Sequence, residues 1–156
     1  MKTQDYDKQI ASSIVAGFDA RPELLVQILH AFMERFGWIT EDAIRQLATE
    51  LNLSRAEVHG VVSYYHDFRT SPPGKHVVKI CEAEACQSMG SRKLAAHAAS
   101  TLGIDMHAST DEVTLEPVYC LGNCACSPAV MVDGKTYGRV SNDRFDEIVA
   151  AMRGSG

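Results

Sequence analysis

Apolar residues recur with helical period through the first 68 residues, and this pattern predicts a bundle of α-helices. The helix that begins at Pro22 should end at Gly37, and Thr40 should cap the next one. Ser54 and Glu57 have the spacing of a capping box, which opens a further helix. A weaker pattern before Pro22 fits a short amphipathic helix. The residues expected on the buried faces are Ile10, Ile14, Val15 and Phe18, then Leu24, Leu25, Ile28, Leu29, Phe32, Met33 and Phe36, then Ile44, Leu47, Ala48 and Leu51, and finally Val58, Val61, Val62 and Tyr65.

The pattern changes at residues 70–74, where two prolines and a glycine end the last of these helices. The elements expected after them are a strand over His76–Ile80, a helix over Ser91–Leu102, a strand over Val113–Tyr119, a hairpin of strands Ala129–Val132 and Lys135–Val140 that turns at Asp133 and Gly134, and a last helix capped by Ser141 or Asn142. Pro117 indicates an edge position or a bulge. The order β-α-β-β-β-α is that of a small thioredoxin-like sheet. We therefore predict an α+β chain with an N-terminal helical bundle, residues 1–70, and a thioredoxin-like α/β domain, residues 71–156.

Composition and charge narrow the possible partners. The chain has 156 residues and a formal net charge of −5, and a negative charge argues against a nucleic-acid partner. No run approaches the roughly 20 apolar residues that cross a bilayer, so no membrane insertion is expected. The segment Met1–Asp7 has no apolar h-region and is too acidic for a transit peptide. We expect a cytoplasmic, reducing location, where clustered cysteines favour metal binding over disulfides.

All five cysteines lie within one stretch of 46 residues, from Cys81 to Cys126. Four of them form two short pairs, Cys81 with Cys86 and Cys120 with Cys124, and each pair follows a predicted strand. A right-handed β-α-β crossover makes these strands parallel, so both pairs should emerge at the same end of the sheet. Four thiolates can hold a [2Fe–2S] cluster or a structural zinc ion, and the spacing alone supports both equally. Cys126 is expected to be a free thiol.

Other kinds of active site find no support in the sequence. A Rieske centre needs two histidines, and neither cysteine loop contains one. The C-x-x-C motif of thioredoxin-type catalysts is missing, and so are a Gly-rich dinucleotide fingerprint and a P-loop. We therefore predict no catalytic residues in this chain. Binding of NAD, FMN and molybdenum would belong to partner subunits.

Several motifs together resemble the thioredoxin-like [2Fe–2S] ferredoxin subunits of NADH-dehydrogenase-type modules, and the resemblance extends over nearly the whole chain. The matching segments are Leu29–Ala31, Glu34–Trp38, Val58–Val62, Tyr64–His66, Pro73–Lys75, both cysteine pairs, and Cys120–Cys124 as a unit. The resemblance implies one [2Fe–2S] cluster rather than zinc, with Cys81, Cys86, Cys120 and Cys124 as its ligands. It also implies a one-electron relay next to a flavin that exchanges hydride pairs for single electrons.

Within this family the chain is most similar to the gamma subunits of soluble, molybdenum-dependent NAD formate dehydrogenases. The similarity lies in Leu53–His59, Glu82–Gln87 and Cys124–Pro128. It implies a non-catalytic electron-transfer subunit whose partners are an FMN/NAD-binding subunit and a large molybdenum/iron–sulfur catalytic subunit. Two alternatives within the family are the equivalent subunit of NADH:quinone oxidoreductase (complex I) and that of an NAD-linked hydrogenase diaphorase. An alternative of another class is a zinc-bound structural adaptor.

Overall fold

The computed structural model describes residues 6–154, and the chain divides into two compact units between Pro72 and Pro73. The helices of the N-terminal unit are α1 (Lys8–Gly17), α2 (Leu25–Phe36), α3 (Glu41–Glu50) and α4 (Arg55–Tyr64). A 3₁₀ turn over Pro22–Leu24 precedes α2, so the helix expected from Pro22 begins with a tighter turn. Residues 1–5, which belong to the predicted helical bundle, lie outside the described residues.

The ends of these helices follow the predicted capping residues. The Ala43 N–H donates to Thr40 Oγ1 at 2.9 Å. Ser54 and Glu57 form the complete capping box, and Gly37 ends α2 in the left-handed conformation with a φ of 83°. Each of these contacts satisfies backbone groups that the terminal turn of a helix leaves without partners. The capping predictions are therefore confirmed.

The N-terminal unit buries one apolar core between its helices, as the helical periodicity predicted. The most deeply buried side chains are Ala11, Val15, Ile28, Leu29, Phe32, Phe36, Ile39, Ala43, Leu47 and Val58. One expectation is wrong: Tyr65 does not belong to the buried face of α4. It follows the end of that helix, is 41% exposed, and lies against Phe68, whose ring is buried.

The C-terminal unit is built on a four-stranded sheet in the order β2-β1-β3-β4. Its strands are β1 (His76–Cys81), β2 (Val113–Val118), β3 (Val130–Val132) and β4 (Lys135–Tyr137), and its helices are α5 (Glu84–Ser88), α6 (Ser91–Leu102) and α7 (Asn142–Arg153). The β1 and β2 strands pair in parallel, whereas β3 runs antiparallel to both of its neighbours. The core residues include Val78, Ile80, Ala98, Leu115, Val130 and Phe145.

Four details of this unit differ from, or sharpen, the sequence prediction. The β2 strand ends at Val118 and is an edge strand, so Pro117 costs the sheet no interior hydrogen bond. The hairpin strands are shorter than expected, because β4 ends at Tyr137. Its turn residues Asp133 and Gly134 have φ values of 50° and 84°, as a type I′ turn requires. The short helix α5 was not predicted.

The mixture of a helical unit and a unit with a four-stranded sheet confirms the predicted α+β class. Within residues 6–154, no helix is both long and apolar enough to cross a bilayer.

Candidate metal centre

The parallel strands bring both cysteine pairs to the same end of the sheet. Cys81 is the last residue of β1 and lies opposite Val118, the last residue of β2. Cys120 follows Val118 by two residues. The Cys81 N–H donates to the carbonyl of Ala129 at 3.0 Å, and the Glu82 N–H donates to the carbonyl of Val118 at 2.8 Å. These bonds join the start of the first cysteine loop to the chain on both sides of the second.

The first pair of cysteines is buried. Cys81 and Cys86 are each 2% exposed and pack with Ala129 in a small apolar cluster. Cys86 lies on the short helix α5, and Gln87 holds this helix in place because its Nε2 donates to the carbonyl of Glu82 at 2.6 Å. Both sulfurs of the first loop are thus shielded from water.

The second pair of cysteines is exposed. Gly122 has a φ of 69°, a conformation that costs glycine little, and its N–H donates to Cys120 Sγ at 3.3 Å. A 3₁₀ turn over Cys124–Cys126 follows. The Ser127 hydroxyl closes this turn by donating to the carbonyl of Cys124 at 2.7 Å.

Hydrogen bonds connect the two loops at the sulfur atoms themselves. Cys86 Sγ lies 3.5 Å from Ser127 Oγ. Backbone hydrogen bonds also reach Cys81 from Leu121 and Cys86 from Ala129. The second loop therefore supplies polar contacts to both buried sulfurs of the first.

The thiols perturb one another electrostatically. The negative charge of a neighbouring Cys120 thiolate raises the pKa of Cys124, and burial raises the pKa of Cys81. Burial also opposes ionisation of Cys86, but hydrogen bonds from Ser127 and Cys81 outweigh it and lower the pKa of that thiol. Ionising all four thiols concentrates negative charge in one place, and the positive charge of bound iron would offset that repulsion.

The donor set fits a [2Fe–2S] cluster. All five cysteines are free thiols. Such a cluster takes two protein ligands on each iron, which matches one buried and one exposed pair. The N–H groups of Gly122, Leu121 and Ala129 contact cysteine sulfurs, where they can stabilise an anionic cluster. Over residues 6–154, no three His, Cys, Asp or Glu side chains are grouped closely enough to hold a single metal ion.

The fifth cysteine, Cys126, is half-buried and packs against the backbone of Gly138. A Cβ atom added to Gly138 would lie 2.6 Å from Cys126 Cβ and 2.7 Å from Asn123 Nδ2. The Arg139 N–H donates to the carbonyl of Cys126 at 2.6 Å. The chain that follows β4 therefore supports the second cysteine loop from one side.

Sequence reasoning missed three features of this site: the helix α5, the hydroxyl of Ser127 and the close approach of Gly138. A helix of five residues is too short to show a period, and Ala83 before it makes no side-chain cap. Glycine is common in turns after a hairpin, so nothing in the sequence distinguishes Gly138 or indicates its contact with Cys126. The proximity of Ser127 to Cys86 joins residues 41 positions apart, which spacing along the chain does not reveal.

Comparisons of the whole chain with known proteins agree with one another. The family model described as thioredoxin-like [2Fe-2S] ferredoxin matches residues 11–153. The chain is 30% identical to one subunit of the NADH-quinone oxidoreductase of Pseudomonas aeruginosa over 128 residues, which cover 81% of this chain and 77% of that protein. It is 32% identical to HndA, a subunit of the NADP-reducing hydrogenase of Solidesulfovibrio fructosivorans, over 128 residues, which cover 81% of this chain and 75% of HndA.

A solved structure shares the fold. It is the crystal structure of an NAD⁺-reducing [NiFe]-hydrogenase in the H₂-reduced state, with a TM-score of 0.72 and 20% sequence identity. The match covers 86% of this chain but only 23% of the hydrogenase chain, so this chain spans about a quarter of that protein's length. At this identity the likeness supports the fold alone.

Proposed function

The chain belongs to the thioredoxin-like [2Fe–2S] ferredoxin family, and from this premise we propose that it is an electron-transfer subunit of a larger oxidoreductase. Its cofactor is one [2Fe–2S] cluster, and the alternative of a zinc-bound structural adaptor loses its support with the family membership. The observation that carries the proposal is the arrival of two thiol pairs at the same end of a parallel strand pair. The proposed partner is an FMN/NAD-binding subunit.

We assign Cys81, Cys86, Cys120 and Cys124 as the ligands of the cluster. When bound, the cluster accepts and releases single electrons, which complements a flavin that exchanges electron pairs with NAD. The burial of Cys81 and Cys86 excludes water from one side of the site. Cys120 and Cys124 lie at the surface, so the redox group of a partner can approach from that side. The chain has no proposed catalytic residue, because it is the partners that handle substrate and hydride.

The parent complex that we propose is an NAD-dependent formate dehydrogenase, in which this chain is the gamma subunit. The support is the resemblance in Leu53–His59, Glu82–Gln87 and Cys124–Pro128. On this proposal a large molybdenum/iron–sulfur subunit oxidises formate, and this chain lies beside the FMN/NAD subunit. Residues 1–70 and 71–156 are proposed as its two domains, and the cytoplasm as its location.

The relatives favour two other candidate complexes. A protein 30% identical to this chain is a subunit of NADH-quinone oxidoreductase, and one 32% identical is a subunit of an NADP-reducing hydrogenase. In either complex the same four cysteines would hold the cluster, and the FMN/NAD-binding partner would be of the same kind. The candidate complexes therefore differ in the subunits that join this chain and its FMN/NAD-binding partner, and not in the role of this chain.

The proposal is tested by purifying the full chain without oxygen and measuring its iron, labile sulfide and zinc. We expect two iron and two sulfide per chain, a brown colour, and an EPR signal of one unpaired electron after reduction. A colourless protein that contains one zinc ion and no iron would contradict the proposal and restore the structural adaptor.

A further inference from the structure

One hydroxyl group lies between the two cysteine loops. Ser127 Oγ is 2.7 Å from the carbonyl oxygen of Cys124, to which it donates, and 3.5 Å from Cys86 Sγ. Ser127 is half-buried, while Cys86 is 2% exposed. The hydroxyl therefore touches a sulfur of the first loop while its own backbone belongs to the second.

The direction of the contact with sulfur depends on the state of Cys86. As a thiol, Cys86 can donate to Ser127 Oγ. As a thiolate ligand it has no proton, so it can only accept, and the hydroxyl becomes the donor. A hydroxyl rotates about its C–O bond, so the single proton of Ser127 can be shared between the sulfur and the carbonyl of Cys124.

We propose that the Ser127 hydroxyl donates a hydrogen bond to the Cys86 sulfur and thereby raises the reduction potential of the cluster. The inference rests on the proposed function and on its ligand set. Reduction adds one negative charge, part of which lies on the ligand sulfurs. A donor at 3.5 Å from one of them stabilises the reduced form more than the oxidised form. Ser127 is a positioning residue that acts on the cluster through Cys86.

The backbone around Ser127 makes this contact a stable one. The Ser127 N–H donates to the carbonyl of Cys124 at 3.3 Å, and the Val140 N–H donates to the carbonyl of Pro128 at 3.1 Å. Ala129, two residues further on, is 1% exposed and packs in the same apolar cluster as Cys86. The main chain on both sides of Ser127 is thus held in place, and the bond from its hydroxyl to the carbonyl of Cys124 keeps the oxygen between the two loops.

The test compares midpoint potentials of the full chain with its cluster, measured by redox titration and followed by EPR. Ser127→Ala should shift the potential to a more negative value, with the equilibrium constant for one-electron reduction falling by up to tenfold, or about 59 mV. Ser127→Thr keeps a hydroxyl and should stay close to the unmodified chain. Iron and sulfide contents should be unchanged in both variants.

Ser88→Ala is the matched control. Ser88 lies two residues from Cys86, and its hydroxyl donates to the carbonyl of Ala85 at 2.8 Å. This variant should leave the potential unchanged. If Ser127→Ala does not retain its cluster, Ser127→Gly, which also lacks the hydroxyl, takes its place in the comparison.

An unchanged or more positive potential in the variants without the hydroxyl overturns the inference, and so does an equal shift in Ser88→Ala. Failure of the proposed function is a separate result. It is recognised when the unmodified chain itself shows no [2Fe–2S] spectrum. An intact spectrum with an unshifted potential rejects only the role of Ser127.

Discussion

The four proposed ligand cysteines are not equivalent. Cys81 and Cys86 are buried in an apolar cluster, whereas Cys120 and Cys124 are exposed. Water cannot solvate the negative charge of a buried thiolate. A buried thiolate therefore depends more than an exposed one on hydrogen bonds from the protein. The contacts from Leu121, Ala129 and Ser127 all reach the buried pair. A cluster held in this way is shielded on one side and accessible on the other, which suits transfer of an electron to or from a docked partner.

Replacing any of the four proposed ligands with serine should remove most of the cluster, because a hydroxyl is a poor substitute for a thiolate and metal binding contributes to folding. Cys126→Ala should retain the visible spectrum, since Cys126 packs against Gly138 and is not among the proposed ligands. Iron, sulfide and absorbance are measured for each variant. Loss of the cluster in Cys126→Ala together with a normal spectrum in Cys124→Ser would contradict the assignment.

Tyr6 gives the helical unit a pH dependence at alkaline pH. Its hydroxyl donates to Gln46, and burial, followed by the charges of Asp42 and Glu50, raises its pKa to about 12. The unfolded chain releases this proton at about pH 10, where the folded chain still holds it. The unfolded state therefore binds fewer protons between these values, and stability falls as the pH rises.

Tyr6→Phe should abolish this part of the alkaline loss of stability, while costing about 0.5–1.5 kcal/mol at neutral pH for the lost hydrogen bond. Urea unfolding followed by far-UV circular dichroism, at about pH 9 and about pH 11 on either side of the unfolded-state pKa, measures both effects. Tyr119→Phe is the control, because Tyr119 is 62% exposed. The same pH dependence in Tyr6→Phe and in the unmodified chain would exclude this role for Tyr6.

The role of a single residue can be predicted from the sequence where few roles are open to that residue type. The short spacing of the thiols after two predicted strands indicated that both cysteine pairs, Cys81 with Cys86 and Cys120 with Cys124, lie at one end of the sheet, and their role as ligands stays a prediction. Ser127 was not recognisable, because a hydroxyl is common in loops and its partner sulfur is 41 positions away. Tyr65 was misplaced for a related reason: an aromatic ring looks the same in a sequence whether it fills a core or partly covers one.

At the scale of elements, helices and strands were predictable where their signals are repeated. The helices α2, α3 and α4 each combine an apolar period with a cap or a stop, and β1 is a β-branched run. Elements of three to five residues carry no period, so α5 was missed and β3 and β4 were drawn too long. Their ends depend on hydrogen bonds to distant parts of the chain, such as the bond between Arg139 and Cys126.

The segment after β4 supports the second cysteine loop, and Gly138 is the point of closest approach. Gly138→Ala places a Cβ atom 2.6 Å from Cys126 Cβ and 2.9 Å from the carbonyl oxygen of Cys126. Overpacking of this kind costs about 1–3 kcal/mol. Because the strain falls on the loop between Cys120 and Cys126, we expect a less stable chain that loses its cluster faster.

The matched control is Gly154→Ala in the same unit, where the added Cβ atom would lie an ordinary 3.5 Å from the carbonyl oxygen of Ala150. The rate at which visible absorbance decays in the presence of an iron chelator is measured for both variants. Decay should be several-fold faster in Gly138→Ala and unchanged in Gly154→Ala. Equal rates in the two variants would show that the close approach does not support the loop.

At the scale of the whole molecule, each unit has a core formed by its own residues. The core of the N-terminal unit is drawn from residues 11–68, and that of the C-terminal unit from residues 78–152. The proposed ligands all belong to the second unit. The hydrophobic period changes at residues 70–74, where the sequence indicates the boundary between the two proposed domains. The identity of the parent complex is not encoded in such features, since formate, NAD and quinone would meet residues of other subunits.

The isolated chain should therefore be reducible yet inactive with formate, NADH or artificial electron acceptors as substrates of its own. Activity should arise only when the chain is joined to a subunit that binds FMN and NAD.

Affinity purification of the tagged chain from its own organism, with identification of the co-purifying proteins, decides which complex it serves. A complex that contains molybdenum and reduces NAD with formate supports the gamma-subunit proposal. Co-purification with quinone reductase activity, or with a nickel–iron protein, would replace it by the NADH-quinone oxidoreductase or hydrogenase alternative. A chain that is recovered without any flavoprotein would contradict the electron-transfer proposal in all three forms.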